Sequence, residues 1–163
     1  MQYIWSPWRM KYIEENSQSE ECVFCKAYQA ENPAENLIIH RGEKSFVIMN
    51  RYPYTTGHLM VIPNDHQADL NAVDRDTRNE MMDLITAAVE VLKEIYKPQG
   101  FNVGCNLGAA AGAGIPRHLH WHIVPRWGGD TNFISSIGGA RVIPEALEDT
   151  YQKIITAWPD PVQ

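Results

Sequence analysis

The chain has 163 residues, 44% of them hydrophobic and 21% charged, with 14 Lys plus Arg against 20 Asp plus Glu and a formal net charge of −6. That length suits one domain whose core needs no disulfide staple, and the acidic balance excludes a protein that coats nucleic acid or an anionic membrane with a broad basic surface. A small phosphate site, built from backbone N–H groups and a few histidines, stays compatible with it. No apolar run reaches the ~18–20 residues of a membrane span. The opening residues lack the apolar stretch and small-residue cleavage site of a secretory signal, so the expected location is cytoplasmic.

Residues 1–21 read as an N-terminal arm, aromatic at Tyr3, Trp5, Trp8 and Tyr12, ahead of a single domain over 22–163. Cys22-Val-Phe-Cys25 places two thiols at a spacing common among zinc ligands, but one such pair is only half a site and a redox pair is the competing reading. Cys105 stands alone, and an odd count of three cysteines fits a secreted disulfide framework badly. Short β-rich runs follow at 37–39, 45–49 and 58–62, the last ended by Pro63, with a hairpin loop over 51–57.

The segment from Asp74 to Lys97 is the clearest helix: Met81, Ile85, Ala88, Leu92 and Ile95 fall on one face. Thr77 and Glu80 suggest a capping box near its start, and Pro98 with Gly100 stops it. A strand over 101–107, a small-residue loop from Gly108 to Gly114, a strand over 118–124 and a helix over about 144–157 complete the chain. Only one strand-to-strand connection carries a long helix. The expected fold is therefore α+β, an antiparallel sheet of about five strands with one long and one C-terminal helix on one side.

Half of the six histidines lie in His118-Leu-His120-Trp-His122. On a strand these three share one face, while Leu119, Trp121 and Ile123 point to the other. They cannot all bind one metal ion: the outer two have Cα atoms roughly 13 Å apart on a regular strand, and zinc bonds are only about 2 Å long. A neutral imidazole is a competent nucleophile near neutral pH, and the central one has a neighbour on each side to orient it. His120 is the candidate nucleophile.

His118-Leu-His120-Trp-His122-Ile-Val resembles the His-x-His-x-His-x-x signature of the histidine triad (HIT) superfamily of nucleotide hydrolases and transferases. The likeness extends to Asn50-Arg-Tyr-Pro53, Gly57-His58-Leu59, Gly100-Phe-Asn102-Val-Gly104-Cys-Asn106-Leu-Gly108 and Pro125-Arg-Trp127-Gly-Gly-Asp130. Together with Trp5-Ser-Pro-Trp8-Arg-Met-Lys-Tyr12, these are similar to the branch of bacterial diadenosine tetraphosphate phosphorylases and fragile-histidine-triad-like proteins. The resemblance implies an enzyme that cleaves dinucleoside polyphosphates through a nucleotidyl-histidine intermediate, with His120 attacking phosphorus and His118 and His122 in support.

By the same likeness Asn50, His58 and Asn106 stand near the nucleoside and phosphates, with Ala113 and Gly114 offering backbone N–H groups to a phosphate. Zinc-bearing relatives imply a structural Zn²⁺ held by Cys22, Cys25, His66 and His118, and Mg²⁺ is a candidate companion of the polyphosphate. Fragile-histidine-triad hydrolases carry a glutamine four residues before the first triad histidine, and other relatives a serine nearby, where this chain has Gly114 and Ile115; that departure favours inorganic phosphate over water as acceptor. The family also implies a homodimer. Two other readings share the fold: an adenylate or phosphoramidate hydrolase, and a non-catalytic nucleotide-binding signalling module. The complete triad argues against the last, because a binder needs no nucleophile.

Overall fold

The computed structural model describes residues 21–131, 135, 137–138 and 142–159; the N-terminal arm expected over 1–21 lies outside them, Glu21 apart. The elements are α1 (Val23–Gln29), β1 (Ile38–Arg41), β2 (Ser45–Met49), β3 (Leu59–Pro63), α2 (Arg75–Tyr96), β4 (Gly100–Cys105), a 3-10 turn (Ala109–Ala111), β5 (Trp121–Arg126) and α3 (Leu147–Ala157). The five strands form one sheet in the order β1-β2-β3-β5-β4, with every pairing antiparallel. None of the described helices is long and apolar enough to cross a membrane.

Cross-strand partners share a face, so the register sorts the sheet into two sides. Val47, Val61 and Trp121 align on one, as do Met49, Leu59, Ile123 and Val103. This is the side covered by α2, whose Met81, Ile85, Ala88, Val91 and Leu92 are buried, and α3 packs beside α2. Ile48, Met60, His122 and Gly104 align on the other side. The helices do not all lie on one side as the sequence suggested. The short α1 covers part of the histidine side, where Tyr28 packs on Phe46 with ring centroids 5.1 Å apart. A seven-residue helix shows too little periodicity to be read from its sequence.

The start of α2 differs from the expected capping box. Asp74 is the N-cap: its carboxylate accepts from Asp76 N at 2.9 Å, Thr77 N at 3.0 Å and the Thr77 hydroxyl at 2.6 Å. These bonds hold the carboxyl well below its usual range, at about 2. Glu80, released from capping, reaches across to the β1–β2 turn and accepts from Glu43 N at 2.7 Å, Lys44 N at 2.8 Å and Ser45 Oγ at 2.8 Å. Such a tertiary use of a glutamate leaves no local signature. The far end closes at Lys97, in the left-handed region at φ 47°.

Strand β5 begins at Trp121 rather than His118, because β4 ends there and the pairing with β3 stops although β3 itself runs on to Pro63. β3 pairs with it only as far as Val61, and β4 ends opposite Trp121 at Cys105. Residues 118–120 are instead tied to the segment after β3, with Leu119 N donating to Gln67 O at 2.6 Å. Alternation survives, since Leu119 enters the core while the histidines stay on the opposite side. Replacing Glu80 by Ala strands two backbone N–H groups and a buried hydroxyl. It should cost about 2–3 kcal/mol in urea denaturation; a loss below about 0.5 kcal/mol would show that water replaces the carboxylate there.

Candidate functional site

The histidines are ordered by which of their nitrogens can carry a proton. His58, fully buried, receives the backbone N–H of Tyr54 on Nδ1 at 3.1 Å, with the Asn50 side-chain amide also 3.2 Å from that nitrogen. A backbone N–H only donates, so Nδ1 of His58 is an acceptor and its proton sits on Nε2. That Nε2–H donates to Nδ1 of His122 at 3.0 Å, which in turn puts the His122 proton on Nε2. A backbone amide thus sets the tautomer of His122 through one intervening ring.

His120 is set the opposite way. Its Nδ1 lies 2.8 Å from the carbonyl oxygen of His118, which only accepts, so Nδ1 holds the proton and Nε2 keeps its lone pair. The rings of His120 and His122 stand edge to face with centroids 5.0 Å apart. One therefore offers a nucleophilic nitrogen beside the other's N–H donor. Burial pushes the pKa of His118 and of His120 down, and that of His122 down to about 4, with the neighbouring His120 adding to the last shift. All three stay neutral near pH 7.

His118 faces away from this pair. Its Nε2–H donates to the Pro63 carbonyl at 2.9 Å, leaving Nδ1 3.3 Å from Cys22 Sγ and 3.6 Å from Cys25 Sγ. His66 Nδ1 lies 3.3 Å from Cys25 Sγ, and the four ligand atoms fall within 4.8 Å of one another. Tetrahedral zinc with bonds of about 2.0–2.3 Å needs ligand atoms roughly 3.3–3.8 Å apart, so this set fits with slight contraction. The carbonyl on the far nitrogen of His118 is the outer partner expected behind a metal-bound imidazole. Burial and the adjacent Cys22 push the Cys25 thiol up to about 11, and a bound cation would displace that proton.

The remaining sequence candidates divide. Asn50 binds its own loop through Tyr52 N at 2.9 Å as well as approaching His58. His58 stands behind His122 with no exposed surface, so it meets the His122 ring and offers nothing to a ligand directly. Asn106 lines a cavity of about 820 Å³ beside His122, and its amide donates a long 3.5 Å bond to Gly112 O. In the small-residue loop the N–H groups of Ala111, Gly112 and Ala113 are taken up by Gly108 and Ala109 carbonyls; Gly114 lies beyond that turn. The cavity does not enclose His120 or Asn50 but runs from His122 along β4 and β5 to Arg126.

Two residues escaped the sequence reading. Phe24 of α1 packs on the rings of His118 and His120, at 5.7 and 5.1 Å. Tyr54 packs on His58 at 4.5 Å and stacks on His122 at 5.8 Å. The only sequence trace of either is an aromatic beside a candidate ligand or within the hairpin loop.

Comparison with known proteins gives a consistent picture. A family model described as HIT domain matches residues 29–129. The chain is 40% identical over 166 residues to a protein named AP-4-A phosphorylase from Mycobacterium tuberculosis, a match covering 97% of this chain and 85% of that one. Among solved structures, a Zn-bound histidine triad family protein from Mycobacterium smegmatis superposes with a TM-score of 0.69 at 28% identity, covering 85% of this chain and 93% of its own. A hypothetical histidine triad nucleotide-binding protein from Sulfolobus tokodaii gives 0.66 at 28% identity, covering 83% and 88%.

The low pKa of His122 has a consequence for stability. Between the ordinary value of 6.5 and about 4, the unfolded chain takes up a proton that the folded one refuses. Stability contributed at neutral pH is therefore lost as pH falls through that window, by about 3 kcal/mol in all. Denaturation measured from pH 7 to 4 should show a shallower loss for His122→Asn than for the native protein; parallel slopes would contradict the assignment.

Proposed function

Because the chain belongs to the HIT domain family, we propose that it cleaves dinucleoside polyphosphates such as diadenosine tetraphosphate by nucleotidyl transfer to His120. The observation that carries this reading is the opposed placement of protons, with a lone pair on His120 Nε2 beside an N–H on His122 Nε2. His120 Nε2 forms a bond to the α-phosphorus as the bond to the bridging oxygen breaks. The imidazole becomes cationic, its Nδ1–H retained on the His118 carbonyl, and the nucleoside polyphosphate leaves as an anion. The His122 N–H stabilises the charge growing on that oxygen without giving up its proton. An acceptor then attacks the nucleotidyl-histidine and restores the neutral ring.

Inorganic phosphate is the proposed acceptor. Gly114 and Ile115 put no polar side chain at the place where fragile-histidine-triad hydrolases carry one, which leaves room and backbone groups there for a phosphate. The name of the Mycobacterium tuberculosis relative supports the same assignment. In the companion cluster, Cys22, Cys25, His66 and His118 would hold Zn²⁺, which supplies a structural tie between α1 and the catalytic segment.

Three measurements test these assignments. Labelled phosphate should appear in the released nucleoside diphosphate from diadenosine tetraphosphate, whereas equal rates with and without phosphate would identify water as acceptor. His120→Ala should lose activity by ~10⁴-fold or more and should no longer form a covalent nucleotidyl adduct; an adduct that persists would place the nucleophile elsewhere. Elemental analysis should find one zinc per chain, with chelation lowering the melting temperature, and a metal content near zero would remove the zinc assignment.

A further inference from the structure

Cys22 and Cys25 are placed for a second chemistry besides ligation. Cys22 immediately precedes α1 and Cys25 lies in its first turn, which the Lys26 N–H closes onto the Cys22 carbonyl at 3.0 Å. One helical turn sets Cα atoms about 5 Å apart, inside the roughly 4.4–6.8 Å span of a disulfide. The two sulfur atoms already lie within 4.8 Å of each other, so joining them takes side-chain rotation and no change of fold. The third thiol is out of reach: Cys105 pairs with Trp121 on the side of the sheet covered by α2, away from the cluster. Cys22–Cys25 is therefore the one disulfide this chain can close while folded. Both cysteines are half-buried and His66 beside them is exposed, which gives a small oxidant a path to the sulfurs.

What such a bond would undo follows from how α1 is held. Seven residues are too few for a helix to persist unsupported. At the C-terminal end Arg41 Nη2 donates to the carbonyls of Tyr28 at 3.1 Å and Ala30 at 2.8 Å, and Tyr28 packs on Phe46. The N-terminal end has no side-chain cap. It meets the histidine segment through Cys22 and Cys25 beside His118, and through Phe24 between them, packed on the rings of His118 and His120. A thiolate ligates metal and a disulfide sulfur does not. Joining the sulfurs thus leaves two imidazoles of the four donors, too few for a tetrahedral structural site.

We propose that Cys22 and Cys25 are a site of reversible oxidation by peroxide, at which disulfide formation expels Zn²⁺ and frees Phe24 from His118 and His120. The inference rests on the zinc assignment above and adds that the tie it supplies can be opened. One thiolate attacks a peroxide oxygen, breaking the O–O bond to give a sulfenic acid and hydroxide. The other thiolate attacks that sulfur, forming the S–S bond and expelling a second hydroxide. Two electrons pass from the sulfurs to hydrogen peroxide, and the departing Zn²⁺ balances the charge of the two hydroxides. A thiol reductant reverses the step by exchange, after which the thiolates take up Zn²⁺ again.

The test treats zinc-loaded protein with hydrogen peroxide beside a chromogenic chelator. One zinc should be released for each Cys22–Cys25 disulfide found by peptide mapping, and Cys105→Ser should behave the same way. Amide hydrogen exchange over α1 should quicken by about tenfold or more while α2 stays protected. Cleavage of diadenosine tetraphosphate should fall by about tenfold or more, and a thiol reductant with Zn²⁺ should restore all three. Zinc retained while activity falls would overturn the proposal, as would zinc released with the cysteines carried to sulfinic acid and no disulfide. A disulfide that leaves exchange over α1 unchanged would also overturn it. Protein that carries no zinc and takes up none would remove the zinc assignment and the switch together. If zinc is bound and peroxide leaves it in place, only the switch fails.

Discussion

Histidines packed side by side and largely out of water cannot share charge freely, so each must hold one proton and present one lone pair. In this protein the fixed backbone decides which nitrogen does which. The His118 carbonyl commits His120 to a lone pair on Nε2, and the Tyr54 N–H, acting through His58, commits His122 to a proton on Nε2. Were either ring in the opposite tautomer, the site would pair two donors or two acceptors. Most of the local architecture can be understood as holding those backbone groups in place.

The His118 carbonyl is fixed because His118 itself is fixed. Its ring is buried, bonded to the Pro63 carbonyl on one nitrogen and facing two cysteines with the other. The Cys2His2 cluster therefore contributes to the site indirectly, by anchoring the residue whose backbone orients His120, the proposed nucleophile. On the opposite flank the hairpin loop carries Tyr54, whose N–H orders the relay and whose ring packs over it. Sheet register does the rest, placing His122 between Met60 and Gly104.

Much of this was legible in the sequence, for identifiable reasons. Alternation along a strand is a property of the backbone, so the shared side of His118, His120 and His122 could be read even though the ladder starts only at Trp121. The periodicity of Met81, Ile85, Ala88 and Leu92 likewise gave α2 its buried face. What escaped is what depends on distant partners. Glu80 resembles a capping residue locally but braces a turn some 35 positions away. The short α1 lacks periodicity, and its place over the histidines through Phe24 is a tertiary fact. The opposed tautomers rest on backbone groups, which no side-chain pattern reports.

The most direct test is long-range nitrogen–proton correlation of the histidine side chains at neutral pH, which reads the protonated nitrogen of each ring. His120 should be protonated on Nδ1 and His122 on Nε2, both neutral. Finding His120 protonated on Nε2 would remove the lone pair from the proposed nucleophile and contradict that assignment.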